Sequence, residues 1–99
     1  VSEAADLYGK NIGPARGDRM QPAGSAARIG MPFTLHNDAP LVPWDILPLV
    51  SAAVNRTLHH DGRVYGPEQR VTPYQALLAV TRHGAYQNFE EKAKGSLEV

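Results

Sequence analysis

Apolar positions along the chain form several short helical stripes and one alternating run, separated by proline- and glycine-rich turns. Ser2 is placed to cap a short helix through Glu3, Ala4, Ala5, Asp6 and Leu7, which Gly9 ends. From Asn11 to Gln21 apolar content is low and Gly13, Pro14 and Gly17 interrupt any period, so the stretch reads as loop. Pro22 to Ile29 reads as a short helix. Proline suits a first helical position, where its missing amide costs nothing, and Gly30 suits the left-handed residue just past the end. Ala23, Ala26, Ala27 and Ile29 give this helix a small apolar face. The period then changes to two. Over Pro32 to His36, Phe33 and Leu35 point one way and Thr34 the other, which is the pattern of a strand. Asn37, Asp38 and Pro40 end it in a turn.

Asp45 is placed to cap a helix from about Ile46 to Leu58, with Pro48 tolerated in its first turn. Ile46, Val50, Ala53 and Val54 recur at helical spacing beside Leu47 and Leu58, which leaves Ser51, Asn55 and Arg56 on the wetter side. Arg63 to Gln69 reads as a further loop containing Gly66-Pro67. Thr72-Pro73-Tyr74-Gln75 is the clearest local signal. Thr72 and Gln75 can exchange side-chain-to-amide bonds, and Pro73 fits the first helical position. Tyr74, Leu77, Leu78 and Thr81 then form a stripe flanked by Ala76 and Val80, to about Arg82. Gly84 weakens the helix, and a second short one, His83 to Phe89, is expected at an angle, with Tyr86 and Phe89 packing back and His83 at the junction. Glu90 to Lys94 reads as a charged loop and Gly95 to Val99 as extended.

The chain has 99 residues, room for one small domain. Ten basic and ten acidic side chains cancel without forming a block, which argues against nucleic-acid or basic membrane-surface binding. No apolar run approaches the length of a membrane span and no signal peptide opens the chain, so the compartment, cytoplasm or periplasm, stays open. Without cysteine there are no disulfides and no thiolate metal sites. A lone strand among helices is a further constraint. Its backbone groups need partners, at a cost of about 1–3 kcal/mol for each one buried unpaired. The Pro32–His36 segment is therefore expected to pair with strands outside this chain, to pair with another copy, or to give up the strand form.

The candidate chemistry lies at the end of that segment. A carboxylate at the C-terminal tip of a strand is how α/β barrels present catalytic groups. The alternative is an ordinary Asn-Asp turn whose side chains bond nearby backbone. His59-His60-Asp61-Gly62 gathers metal-ligating residue types, but adjacent residues point apart and Asp-Gly favours a turn, so it reads as solvated loop. Trp44 either lines a pocket beside Asp38 or anchors the helix entry.

Three ordered strings carry a resemblance: PFTLHNDAP, GPEQRVTPYQALLAVTRHGAYQ and KGSLEV. Over about residues 19 to 99 the chain resembles the metal-dependent amidohydrolase superfamily. It is most similar to the long-chain subgroup that includes N-substituted formamide deformylases and exoenzyme-regulatory proteins. The resemblance implies an α/β fold in which this chain is a C-terminal fragment of a TIM (β/α)8 barrel, mostly helical when isolated. Residues 1–21 would precede the last barrel unit, and residues 22–99 would supply the last strand–helix unit and terminal helices. It also implies a hydrolase acting on C–N bonds of amide or amidine type, other than peptide bonds, with one or two divalent metals, zinc foremost, at the barrel mouth. Asp38 would be the last-strand carboxylate that ligates metal or shuttles the proton. His36 and Asn37, which do not match the family's metal ligands, would orient Asp38 or touch the small-molecule substrate. The other ligands would lie upstream, so the chain alone is expected to be inactive, to bind no metal tightly, and to partner the rest of the barrel or self-associate. Two rival readings are a small helical interaction module without catalysis and a regulatory relative that has lost activity.

Overall fold

Two helices that meet through alanine organise the chain. The computed structural model describes residues 10–58 and 62–97. The helix expected over Glu3 to Leu7, the turn at His59-His60-Asp61 and the end of the 95–99 stretch lie outside them. In chain order the elements are α1 (Pro14–Gly17), α2 (Ala23–Arg28), α3 (Ile46–Asn55), a 3-10 turn (Pro67–Gln69), α4 (Pro73–Val80) and α5 (Arg82–Gln87). No strand forms among the described residues, and pairing is limited to one antiparallel bridge, Thr57 with Val64. Nor is any helix of the described residues long and apolar enough to cross a membrane.

Ala53 of α3, Val71 and Ala76 of α4 form the centre, with Ala23, Ala27, Phe33, Leu35, Val50 and Val54 packed around it. Ala76 and Ala79 are the buried positions of α4, whereas Tyr74 and Leu77 face outward. This reverses the expected stripe. Small residues let α4 approach α3 closely, so the larger side chains take the wet face. The Thr72 capping box forms as the sequence implies: Gln75 N–H donates to Thr72 Oγ1 at 3.2 Å, and Thr72 N–H donates to Gln75 Oε1 at 2.9 Å. The break between α4 and α5 falls at Thr81, within two residues of the expected junction at Arg82 and His83. Thr81 adopts φ −123°, ψ −91°, and its hydroxyl donates back to the Leu77 carbonyl at 2.7 Å. Gly84 sits inside α5, and Tyr86 and Phe89 are exposed instead of packing back.

Arg56 is the largest departure from the expected pattern. The helix α3 stops at Asn55, short of Leu58, because Arg56 turns left-handed at φ 53°. Its side chain, expected on the wet face, is 1% exposed. The guanidinium donates to three carbonyls: Tyr65 from Nε at 2.8 Å, Gln21 from Nη1 and Met20 from Nη2, both at 3.1 Å. Burial lowers the Arg56 pKa, opposed by the nearby negative charges of Glu68 and Asp18. The same knot explains Gly66, whose φ is 50° and where any Cβ would lie 2.2 Å from the Asp18 carbonyl oxygen. The Gly66 amide donates to the Asp18 carboxylate at 3.2 Å. The segment read as loop from Asn11 to Gln21 thus holds α1 and a seam to residues 56–66, and it is built by polar side chains that carry no period.

Around the 3-10 turn, Gln69 closes two bonds to Ser25: its Oε1 accepts the Ser25 amide and its Nε2 donates to Ser25 Oγ, both at 2.9 Å. Arg28 donates to the Glu68 carbonyl at 2.8 Å, and Arg70 to the Asn55 carbonyl at 3.1 Å. The GPEQR string is therefore a docking clasp that satisfies the ends of α2 and α3, which are orphaned groups in any helix.

Candidate functional site

The segment from Met31 to Ala39 keeps the period of two that its sequence predicts. Phe33, Leu35, Asn37 and Ala39 face inward and are half-buried, while Thr34, His36 and Asp38 face solvent. It does so without a ladder. Among the described residues its backbone is tied down at Met31, whose amide donates to the Ala26 carbonyl at 3.0 Å, and at Phe33, whose carbonyl accepts from His83 Nδ1 at 3.0 Å. The His83 ring also meets Phe33 edge-on, with centroids 6.1 Å apart. His83 is thus a junction residue that holds α5 against the extended segment.

Asp38 sits at the C-terminal end of this segment with φ 67°, a left-handed conformation that aspartate and asparagine tolerate better than other side chains. Its carbonyl accepts the Leu41 amide at 3.0 Å, which closes the turn. Asn37 Nδ2 donates to the Asp45 carbonyl at 3.3 Å and so ties the turn to the start of α3, while Asn37 Oδ1 is buried without a partner. His36 Nε2 lies 3.3 Å from Asp38 Oδ1, and both side chains are largely exposed. The structure therefore brings His36 and Asp38 together and uses Asn37 to position them.

Trp44 is 80% exposed, so its ring does not pack as an anchor for the helix entry. A groove of ≈ 240 Å³ does exist, lined by Pro32, Phe33, Thr34, His83, Tyr86 and Gln87, but it lies at the start of the extended segment and none of the four candidate residues borders it. Among the described residues no group of three or more histidine, aspartate or glutamate side chains converges to hold a metal ion. Asp38 and His36 are suitable donors, but two donors fall short of the about three protein ligands of a hydrolytic zinc site.

A family model described as the amidohydrolase family matches residues 2–99. The chain belongs to the amidohydrolase family. No curated protein matches it, and neither does any solved structure. The mostly helical arrangement, strandless over the described residues, is consistent with part of an amidohydrolase domain. Amidohydrolase membership makes a hydrolase the parent class of this chain. It also gives context to the Asp38 turn, which on conformation alone reads equally well as a simple reversal. The residues that sequence reasoning missed are those of the Arg56 knot and the GPEQR clasp. Their one visible signal was Gly66-Pro67 beside buried polar residues, and periodicity does not register it.

Proposed function

We propose that this chain is the last strand–helix portion of a (β/α)8 amidohydrolase barrel, in a metal-dependent enzyme that hydrolyses C–N bonds of amide type other than peptide bonds. The observation that carries the reading is the family match over residues 2–99 taken with the position of Asp38, solvent-facing at the C-terminal end of an extended segment. That is where such barrels place catalytic carboxylates. The segment has the period of a barrel strand and, among the described residues, no backbone hydrogen bond to either edge between Thr34 and Asn37, which suits insertion between neighbouring strands.

In this reading the Asp38 carboxylate accepts a proton from the attacking water and returns it to the leaving nitrogen, general base first and general acid second. A divalent metal in such a centre supplies Lewis-acid polarisation of the scissile carbonyl and acidifies water to a pKa of about 7. Asn37 holds the turn that carries Asp38, and Trp44 offers an exposed indole to a small-molecule substrate or to the remainder of the barrel. The likeness to N-substituted formamide deformylases makes small N-acyl compounds the first substrates to screen. The exposed row Leu41, Trp44 and Leu47 favours a second reading, an interaction or regulatory module without catalysis.

Expression of the full-length gene product, with metal analysis and an amide-substrate screen, separates the two. The enzyme reading expects stoichiometric divalent metal, with turnover that falls about 10²–10⁴-fold in Asp38→Asn while the fold is kept. A full-length protein in which Asp38→Asn hydrolyses the same amide at the wild-type rate overturns it.

A further inference from the structure

We infer that His83 is a positioning residue for Asp38. Acting through the Phe33 carbonyl, it fixes where along its own axis the extended segment lies, and so where the carboxylate at its end stands. The inference rests on the Asp38 reading above and deepens it, since that reading gives His83 no part in the reaction.

The contact is specific in its chemistry. His83 Nδ1 lies 3.0 Å from the Phe33 carbonyl oxygen. A carbonyl only accepts, so the proton is on Nδ1, and the ring donates whether or not Nε2 is also protonated. The same ring meets the Phe33 side chain edge-on, with centroids 6.1 Å apart and planes at 69°. One side chain therefore holds residue 33 twice, at its backbone and at its ring. His83 is half-buried and is the second residue of α5, directly after the Thr81 break. A Cβ on Gly95 would stand 2.9 Å from Arg82 Cα and 3.0 Å from Ala85 Cβ, so the returning chain closes on the turn of α5 that carries His83.

This tie adds precision that packing does not supply. Phe33 and Leu35 pack against the Ala53 centre and oppose a slip by a whole residue, which would turn both outward and Asp38 inward. Apolar packing is non-directional, however, and resists smaller slides weakly. A hydrogen bond holds its atoms within a window of about 0.5 Å. That is also about the tolerance of a catalytic group. The other bonds of the segment are local. The Met31 amide closes the exit of α2 on the Ala26 carbonyl, the Leu41 amide closes the turn on Asp38, and Asn37 reaches eight positions to Asp45. His83 reaches Phe33 across fifty positions, so it sets the segment against another part of the fold. Five residues of extended chain, about 16 Å, separate Phe33 from Asp38. An extended chain has little slack, so a slide at Phe33 reaches the carboxylate nearly in full.

The test places His83→Phe and His83→Asn in the full-length gene product, beside Asp38→Asn. Phenylalanine keeps a ring against Phe33 and loses the donor. Asparagine keeps an N–H at about the reach of Nδ1 and loses the ring. With the amide found in the screen, His83→Phe is expected to lower kcat about tenfold or more while KM changes less than about twofold, and His83→Asn to bring kcat back to within about threefold of wild type. Far-UV dichroism checks that each variant is folded, and His83→Leu takes the place of His83→Phe should that variant not fold. A wild-type kcat in the donor-free variant, with Asp38→Asn inactive, overturns the role of His83 and leaves the Asp38 reading standing. A loss of kcat that His83→Asn shares in full does the same, because the donor is then not what matters. Full turnover in Asp38→Asn, or none in the wild-type protein, removes the Asp38 reading and the role of His83 with it.

Discussion

Arg56 is 1% exposed, and among the described residues no ion pair joins its guanidinium to a carboxylate. Its charge is spread over three carbonyl dipoles instead, which a planar guanidinium can reach at once and an ammonium cannot. Arg56→Met is therefore expected to lose roughly 2–3 kcal/mol, because it orphans one buried and two partly buried carbonyl acceptors. Arg56→Lys should recover only part of this, as read from urea midpoints followed by far-UV dichroism. Sequence reasoning put Arg56 in water because helical periodicity continued past Asn55. The left-handed turn that ends α3 is set by distant partners at residues 20, 21 and 65, and no local rule contains them. Asp38 shows the opposite case. Its place at the end of an alternating run was legible, and the structure keeps that alternation and adds the approach of His36, which spacing alone did not specify.

Among the elements, α2 and the 3-10 turn approach so closely that a Cβ on Gly24 would stand 2.7 Å from both the Gln69 Cα and the Glu68 carbonyl oxygen. Both are backbone atoms and neither can swing away. Gly24→Ala should destabilise by about 1–3 kcal/mol, since the two elements must separate. Gly84, inside α5 with open space at its Cβ position, gives the contrasting outcome: Gly84→Ala should stabilise by roughly 0.5–1 kcal/mol. Thermal unfolding of the two variants side by side checks both signs. The capping box at Thr72 was readable because it is written within four residues. The buried face of α4 was not, because its sequence offers two faces, one of large residues at 74, 77 and 78 and one of alanines at 76 and 79. Hydrophobicity favours the first. Close helix packing chooses the second, and that choice depends on Ala53 across the interface.

Taken whole, the molecule is flattened, 46 × 31 × 19 Å, with a radius of gyration of 14.1 Å where about 13 Å suits a compact chain of this length. Leu41, Trp44 and Leu47 are each at least three-quarters exposed, and they cluster in sequence around the start of α3. Exposed apolar clusters of this kind drive association. We expect the isolated chain to self-associate with rising concentration by light scattering, with Leu41→Ser and Leu47→Ser together shifting it toward monomer. A wild-type chain that stays monomeric at all concentrations would contradict this. The strand expectation marks the limit of a single sequence at this scale. The alternation over Phe33 to Leu35 is real, but a ladder needs a neighbour, and the described residues supply none.

The Arg56 knot has a consequence for how the chain comes apart. One guanidinium fastens residues 20–21, the exit of α3 and the approach to Gly66, so these three stretches are expected to come apart together. Damage to any one of them is felt by all, and a substitution near Asp18 can loosen Tyr65, which lies more than forty positions further along the chain.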